Sequence, residues 1–265
     1  MKFALDHVVI AVGDLEQAIA DYRSLGFTVV PGGRHPGRTS HNALIVFEDG
    51  AYIELIAWTA PNDAERWNVM HRRHGDGFMD FALIPEDLPR ATLDAKARGL
   101  PLNGPIDGGR VRPDGVELEW RTARQATFDL PFFCADVTPR SLRVPDGDVR
   151  RHPNGALGVP TIVVAVNDLG VSAARYRAML GDTAGNTPAI DVTGTGVRAL
   201  EVMVERTVLM LASAAGSPSS SLARVVHERM IGPGEGPCAV SIRTGDGAAK
   251  VLPLVSTHGA YVETC

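Results

Sequence analysis

The sequence predicts an α+β fold built from repeated βαβββ modules, and three observations predict it. A β-branched apolar run ending in Asp-Leu occurs at residues 5–15 and again at 159–169, with fainter copies at 78–88 and 238–246. The acids closing these runs, Asp14, Asp87, Asp168 and Asp246, lie 73, 81 and 78 residues apart, a nearly constant period. A helical pattern and then strand-like stretches follow the copies.

In the first copy Asp14 is placed to cap a helix, with Gln17 three residues on as the return half of a capping box. Leu15, Ala18, Ile19, Tyr22 and Leu25 then recur at helical spacing, and Gly26 stands where a left-handed residue ends a helix. The second copy runs from Asp87 to Gly99, and its Pro89 is tolerated because the first turn has no N–H partner to lose. The third runs from Asp168 to Gly181. Strands are expected at 28–30, 43–47 and 52–57, at 116–121 and 130–134, and at 197–204 and 207–212. Pairing successive copies gives two halves. Residues 1–140 form an N-terminal pair of modules, and 155–265 a C-terminal pair whose last module is incomplete. The Pro-, Gly- and Arg-rich segment 138–158 reads as the linker between them.

Composition narrows the function classes. Of 265 residues, 45% are hydrophobic and 22% charged, an ordinary globular balance. A net charge of −5 without a basic stripe argues against a nucleic-acid partner. Cys134, Cys238 and Cys265 are odd in number and widely spaced, which argues against a disulfide framework or structural zinc. With no signal-peptide pattern and no apolar run of membrane length, a cytoplasmic location without a membrane partner is expected.

The run Leu5-Asp6-His7-Val8-Val9-Ile10-Ala11-Val12 with Asp14-Leu15 resembles the opening of a vicinal oxygen chelate module. Pro31-Gly32-Gly33-Arg34-His35-Pro36-Gly37, His41-Asn42-Ala43-Leu44-Ile45, Tyr52-Ile53-Glu54-Leu55-Ile56 and His152-Pro153-Asn154-Gly155 resemble its glyoxalase-like branch. The resemblance is specific over residues 1–60 and rests on periodicity beyond 160. It implies modules paired into curved mixed sheets around a cavity, the glyoxalase/dioxygenase-like fold. It also implies a divalent metal that holds two adjacent substrate oxygens. Reactions in the superfamily include isomerisation, epimerisation, ring-cleaving oxygenation and thiol addition, and some members only sequester drugs, so fold alone fixes no reaction.

Strand alternation tests the implied ligands. Leu5, His7, Val9 and Ala11 share one face, as do Tyr52, Glu54 and Ile56, so each strand carries one polar group among apolar ones. His7 and Glu54 match the family's first-strand and last-strand ligand positions, and this donor pair suits Zn, Mn, Fe, Ni or Co. The competing reading is a His7–Glu54 hydrogen bond without metal. Aligning Asp14-Leu15 on Asp87-Leu88 puts Asp80 opposite His7 as a third ligand, a base, or a strand-end residue facing water. His41 and His152 are candidate proton-transfer residues; turn roles compete for both. Asn42, Trp120 and Arg121 are candidate substrate contacts, with Arg121 suited to an anion. In the second half Thr161 and Ala239 stand opposite His7, and Met210 opposite Glu54, so that half is expected to be structural.

The sequence thus favours a metal-dependent isomerase, epimerase or lyase acting on a small vicinally oxygenated metabolite. The alternative is a non-catalytic, drug-sequestering binding protein, against which an aromatic content of 6% weighs. The expected partners are a small-molecule substrate and a second copy of the chain.

Overall fold

The computed structural model describes residues 1–184, 188–192 and 195–265, the side chains of 183 and 184 excepted. Each module begins with a strand that pairs parallel to the module's own last strand, and this pairing organises the molecule. β1 (Phe3–Ala11) pairs parallel with β4 (Tyr52–Trp58), and β5 (Gly77–Pro85) with β8 (Phe132–Asp136). In the second half β9 (Ala156–Ala165) pairs parallel with β12 (Thr207–Ala214), and β13 (Gly236–Thr244) with β15 (Tyr261–Thr264). First strands then join antiparallel, β1 to β5 and β9 to β13.

Between them lie β2 (Val30–Arg34) and β3 (Ser40–Val46) in the first module, and β6 (Asn103–Val111) and β7 (Glu117–Arg124) in the second. The third module contributes β10 (Ile190–Val192) and β11 (Val197–Val204), and the fourth only β14 (Lys250–Val251). The first half closes into a barrel in the order β1-β4-β3-β2-β6-β7-β8-β5. The second forms an open seven-stranded sheet, β10-β11-β12-β9-β13-β15-β14. This is the expected α+β fold of paired βαβββ modules.

Three helices start at the repeated acids: α1 (Leu15–Ser24), α3 (Leu88–Ala97) and α5 (Leu169–Leu180). Asp14, Asp87 and Asp168 accept from the backbone N–H groups of Gln17, Arg90 and Val171, satisfying donors that a first turn leaves unpaired. The capping box is only half made: the Gln17 amide donates to Asp21, one turn on, at 2.9 Å. The fourth acid caps no helix; Asp246 accepts from Thr244 and the Ala248 amide in a turn.

Two further helices separate paired modules, α2 (Arg66–His74) and α6 (Ser221–Ile231), and α4 (Arg140–Arg143) follows β8. One apolar cluster runs from the outer faces of the barrel into the second sheet, joining Val8, Tyr22, Ile53 and Phe81 to Ile162, Tyr176 and Val240. No helix among the described residues is long and apolar enough to cross a membrane.

Several strands sit a few residues from where the pattern placed them, and β6 was not expected at all. Its sequence, Asn-Gly-Pro-Ile-Asp-Gly-Gly-Arg-Val, has little intrinsic strand preference. The barrel closes at the β2–β6 seam through one paired position, Arg34 with Val111. Gly33 beside it has φ 141°, and a Cβ there would lie 2.1 Å from the Val111 carbonyl oxygen. Backbone cannot yield as a side-chain tip can. Gly33→Val is therefore expected to cost about 2–4 kcal/mol, read as a lowered urea midpoint, and an unchanged midpoint would show that the seam tolerates a side chain.

His152 joins the segment after α4 to the first module. Its Nδ1 accepts from the Thr28 amide at 3.0 Å and its Nε2 faces the Val46 carbonyl at 3.1 Å, which requires the neutral ring with the proton on Nε2. Burial pushes this imidazole below its ordinary 6.5, with the Val46 carbonyl pulling the other way. A depressed histidine stabilises fully above its unfolded value and loses that contribution as pH falls through the folded one. The stability difference between wild type and His152→Ala should be about 1–3 kcal/mol at pH 7.5 and smaller at pH 5. A difference that grew on acidification would contradict the neutral assignment.

Candidate functional site

Inside the barrel, the side chains of β1, β3 and β4 converge. A β-bulge between Leu5 and His7 leaves Asp6 unpaired with β5, so that Asp6 and His7 both reach buried polar partners. Asp6 is fully buried and lies 2.7 Å from His7 Nδ1. Arg143 grips Asp6 with both terminal nitrogens, at 2.8 and 3.0 Å, and Arg140 adds a third contact at 2.6 Å. Burial alone would raise the Asp6 carboxyl, but Arg143 and His7 more than reverse this and hold it well below the usual carboxylate range. Arg143 also donates to the Tyr52 hydroxyl at 2.7 Å, and the Tyr52 ring stacks on His7 with centroids 4.6 Å apart.

With Nδ1 committed to Asp6, His7 turns Nε2 toward Glu54, whose Oε2 lies 3.5 Å away. Asn42 donates to Glu54 Oε1 at 2.5 Å, and His35 Nε2 stands 3.9 Å from the same oxygen. Burial lowers the His35 imidazole below its ordinary value, the Glu54 charge opposing and Arg110 and Arg38 reinforcing. A cavity of about 600 Å³ opens over these groups, walled by Trp67, Trp120, Phe132 and a set of arginines.

The expected site residues divide. His7, Glu54, Asn42, Trp120 and Arg121 line the cavity, and Trp120 meets His35 edge-on at 6.0 Å. Arg121 sits at its exposed rim, paired with Asp107 at 3.0 Å. Asp80 does not line it. In the β1–β5 ladder Asp80 pairs with Val9 and His7 with Ala82, the symmetric register expected of equivalent positions in paired modules. Asp80 is fully buried there, ion-paired with Arg66 and bonded to the Trp67 indole and the Phe81 amide. Burial raises its carboxyl and those partners pull it back, so Asp80 anchors α2 beneath the cavity wall.

His41 alternates with Ser40 and Asn42 along β3 and does not line the cavity; its ring feels Arg34 and Glu16, toward α1. His152 is held between the Thr28 amide and the Val46 carbonyl, as described above. Neither histidine is therefore placed to move a proton in the cavity. His35, Asp6, Arg110 and Arg143 were not singled out from the sequence. His35 lay in a Pro-Gly stretch that reads as a turn, and Arg143 in the linker, where no periodicity flags burial.

A metal ion's fit is tested by the donors themselves. The 3.5 Å between His7 Nε2 and Glu54 Oε2 is close to the ~3.4 Å ligand–ligand edge of a tetrahedral site with ~2.1 Å bonds. The Asp6–His7 hydrogen bond supplies the outer carboxylate that commonly orients a metal-bound imidazole. These two residues fit, with His35 across the same carboxylate. Among the described residues, no group of three or more His, Cys, Asp and Glu is arranged to hold an ion.

The sequence model of the glyoxalase-like domain matches residues 5–180. The chain belongs to the glyoxalase-like domain family. No curated protein matches it. Among solved structures, a hypothetical protein from Staphylococcus aureus is 13% identical, with a TM-score of 0.71 and 99% of each chain covered. A variant of 4-hydroxymandelate synthase from Streptomyces coelicolor is 14% identical, with a TM-score of 0.61 over 96% of this chain and 78% of that one. A fusion of a xylose isomerase-like TIM barrel with 4-hydroxyphenylpyruvate dioxygenase is 15% identical, with a TM-score of 0.53 over 91% of this chain and 36% of that one. At these identities the likeness is one of fold.

This glyoxalase-like barrel depends on a fully desolvated ion pair. Arg143→Met would leave the buried Asp6 with only Arg140 and His7 as partners and is expected to cost about 3–5 kcal/mol. The Asp6→Leu, Arg143→Met double variant should lose clearly less than the sum of the single losses. Simple additivity in urea unfolding would show that the pair is not coupled.

Proposed function

We propose that this glyoxalase-like protein is a divalent-metal-dependent enzyme acting on a small oxygenated metabolite, as an isomerase, epimerase or lyase. One observation carries the reading: a buried imidazole, fixed by a carboxylate on Nδ1, turns its other nitrogen to a second carboxylate at 3.5 Å on a cavity wall. His7 and Glu54 would hold the ion. Such an ion supplies Lewis-acid stabilisation to negative charge developing on an adjacent substrate oxygen.

The chain's own groups do the rest. Asp6 and Arg143 keep the His7 ring in one orientation. Asn42 holds Glu54, and burial keeps His35 neutral, able to accept a proton from a bound substrate or return it. Trp67, Trp120 and Phe132 exclude water from one wall. Asp80, His41 and His152 take no part.

A second reading, small-molecule binding without chemistry, draws on the fact that Glu54 already has a donor in Asn42. Metal analysis of untagged protein separates the two. About one ion per chain is expected after reconstitution with Zn, Mn, Fe, Ni or Co, falling to background in His7→Ala and Glu54→Gln at unchanged folding. Folded protein that takes up no ion, or variants that keep it, would overturn the enzyme reading.

A further inference from the structure

The chain carries a net charge of −5, yet its cavity is walled by six arginines: Arg38, Arg66, Arg110, Arg121, Arg124 and Arg143. Three have carboxylate partners: Arg66 with Asp80, Arg121 with Asp107, and Arg143 with Asp6 and Asp136. Among the described residues, no ion pair neutralises Arg38, Arg110 or Arg124. The inward acids are already engaged: Glu54 by Asn42, and Glu65 by Thr39, Trp58 and Asn62. Glu117 and Glu119 also line the cavity, at its exposed rim on the same face of β7 as Arg121, away from the buried Arg110.

Arg110 is the most telling of the three. It is only 3% exposed, gives one N–H to the Arg143 carbonyl at 2.9 Å, and leaves Nε without any partner. A buried cation without a counter-charge is costly. Burial lowers the Arg110 guanidinium, with Arg143 and Arg112 adding to the effect and Tyr52 and Glu54 opposing it. Arg124 is lowered in the same way, by burial and by the Arg66 and Arg38 cations, against Asp80. An anion entering the cavity would relieve both. A guanidinium's parallel N–H groups match a carboxylate, and the indoles of Trp67 and Trp120 offer an apolar surface to the rest of the molecule.

We propose that the cavity takes an organic acid, its carboxylate received by Arg110 in a positive field that Arg38 and Arg124 extend. The inference rests on the preceding reading for its cavity but not for its metal. The test is calorimetry on the metal-free, EDTA-treated 265-residue chain with benzoate and its neutral isostere benzamide as probes. Benzoate should bind at least about tenfold more tightly, the value of one charge-assisted contact. Arg110→Met should abolish the preference and Arg110→Lys restore part of it. Arg124→Met, at a less buried position, should weaken benzoate several-fold and leave benzamide unchanged, so the test survives if Arg110→Met fails to fold. Equal affinity for the two probes, a preference untouched by either substitution, or benzoate binding only after metal is restored would overturn the proposal. Because the probes are compared on metal-free protein first, absence of a metal site would leave that comparison readable.

Discussion

Taking Asp6 and Arg143 out of water costs several kcal/mol per charge before any return, and the barrel interior is arranged to recover that cost. Asp6 accepts from His7, Arg140 and Arg143; Arg143 also reaches Asp136 and Tyr52. The network therefore ties β1 to β4, to β8 and to the short helix α4 that carries Arg140 and Arg143. Its functional consequence is orientation. A histidine whose Nδ1 is committed to a buried carboxylate has one nitrogen left for chemistry, and the same network stacks Tyr52 against its ring. The fold's deepest electrostatic constraint and the direction of the candidate ligand's lone pair are one fact.

The two halves show what happens without that constraint. Thr161 pairs with Val208 and Met210 lies two residues on, the register positions that His7, Tyr52 and Glu54 occupy in the first half. Ala223 and Val226 of α6 pack there against Val163, Ala165, Ala212 and Ala239, filling the concave face with hydrocarbon. In the barrel, α2 occupies the matching place in the chain but presents Arg66 and Trp67 to Asp80 and leaves the space beside them open. Small apolar residues let one helix settle onto its sheet, whereas a buried carboxylate holds the other by its polar ends.

The repeat and the caps were legible because they rest on local rules, a period of about 78 residues and an acid before a helix; alternation marked His7 and Glu54 as lone polar groups on their strands, and the family resemblance paired them. What was not legible depends on distant chain segments meeting. β6 reads as coil because Gly108 must lie under the Trp120 indole, where a Cβ would come within 2.5 Å of Nε1, a requirement set on another strand. Asp80 holds the position equivalent to His7, as alignment on its Asp-Leu motif gives, but that alignment carries no record of Arg66 and Trp67, which take up its carboxylate. Arg143 lies in a segment whose Pro and Gly content suggests a solvated linker, yet only 2% of its side chain is exposed. In each case a tertiary partner overrode a correct local preference.

Donors and cations reach the cavity from different modules. β1, β3 and β4 of the first supply His7, Asn42 and Glu54, while β6 and β7 of the second supply Arg110, Trp120 and Arg124. The two sets are joined through the β1–β5 ladder on one side and the single Arg34–Val111 pair on the other. Binding energy gathered on the second module assists a reaction on the first only if their separation is held to within a fraction of an ångström. Two contacts cross the gap and hold it. Arg110 donates to the carbonyl of Arg143, whose guanidinium already grips Asp6, and Gly33 lets the seam close without a side chain in the way. The guanidinium proposed to receive substrate is thereby linked through one further arginine to the carboxylate that orients His7, so a shift at one wall is transmitted to the other through bonds that are all buried.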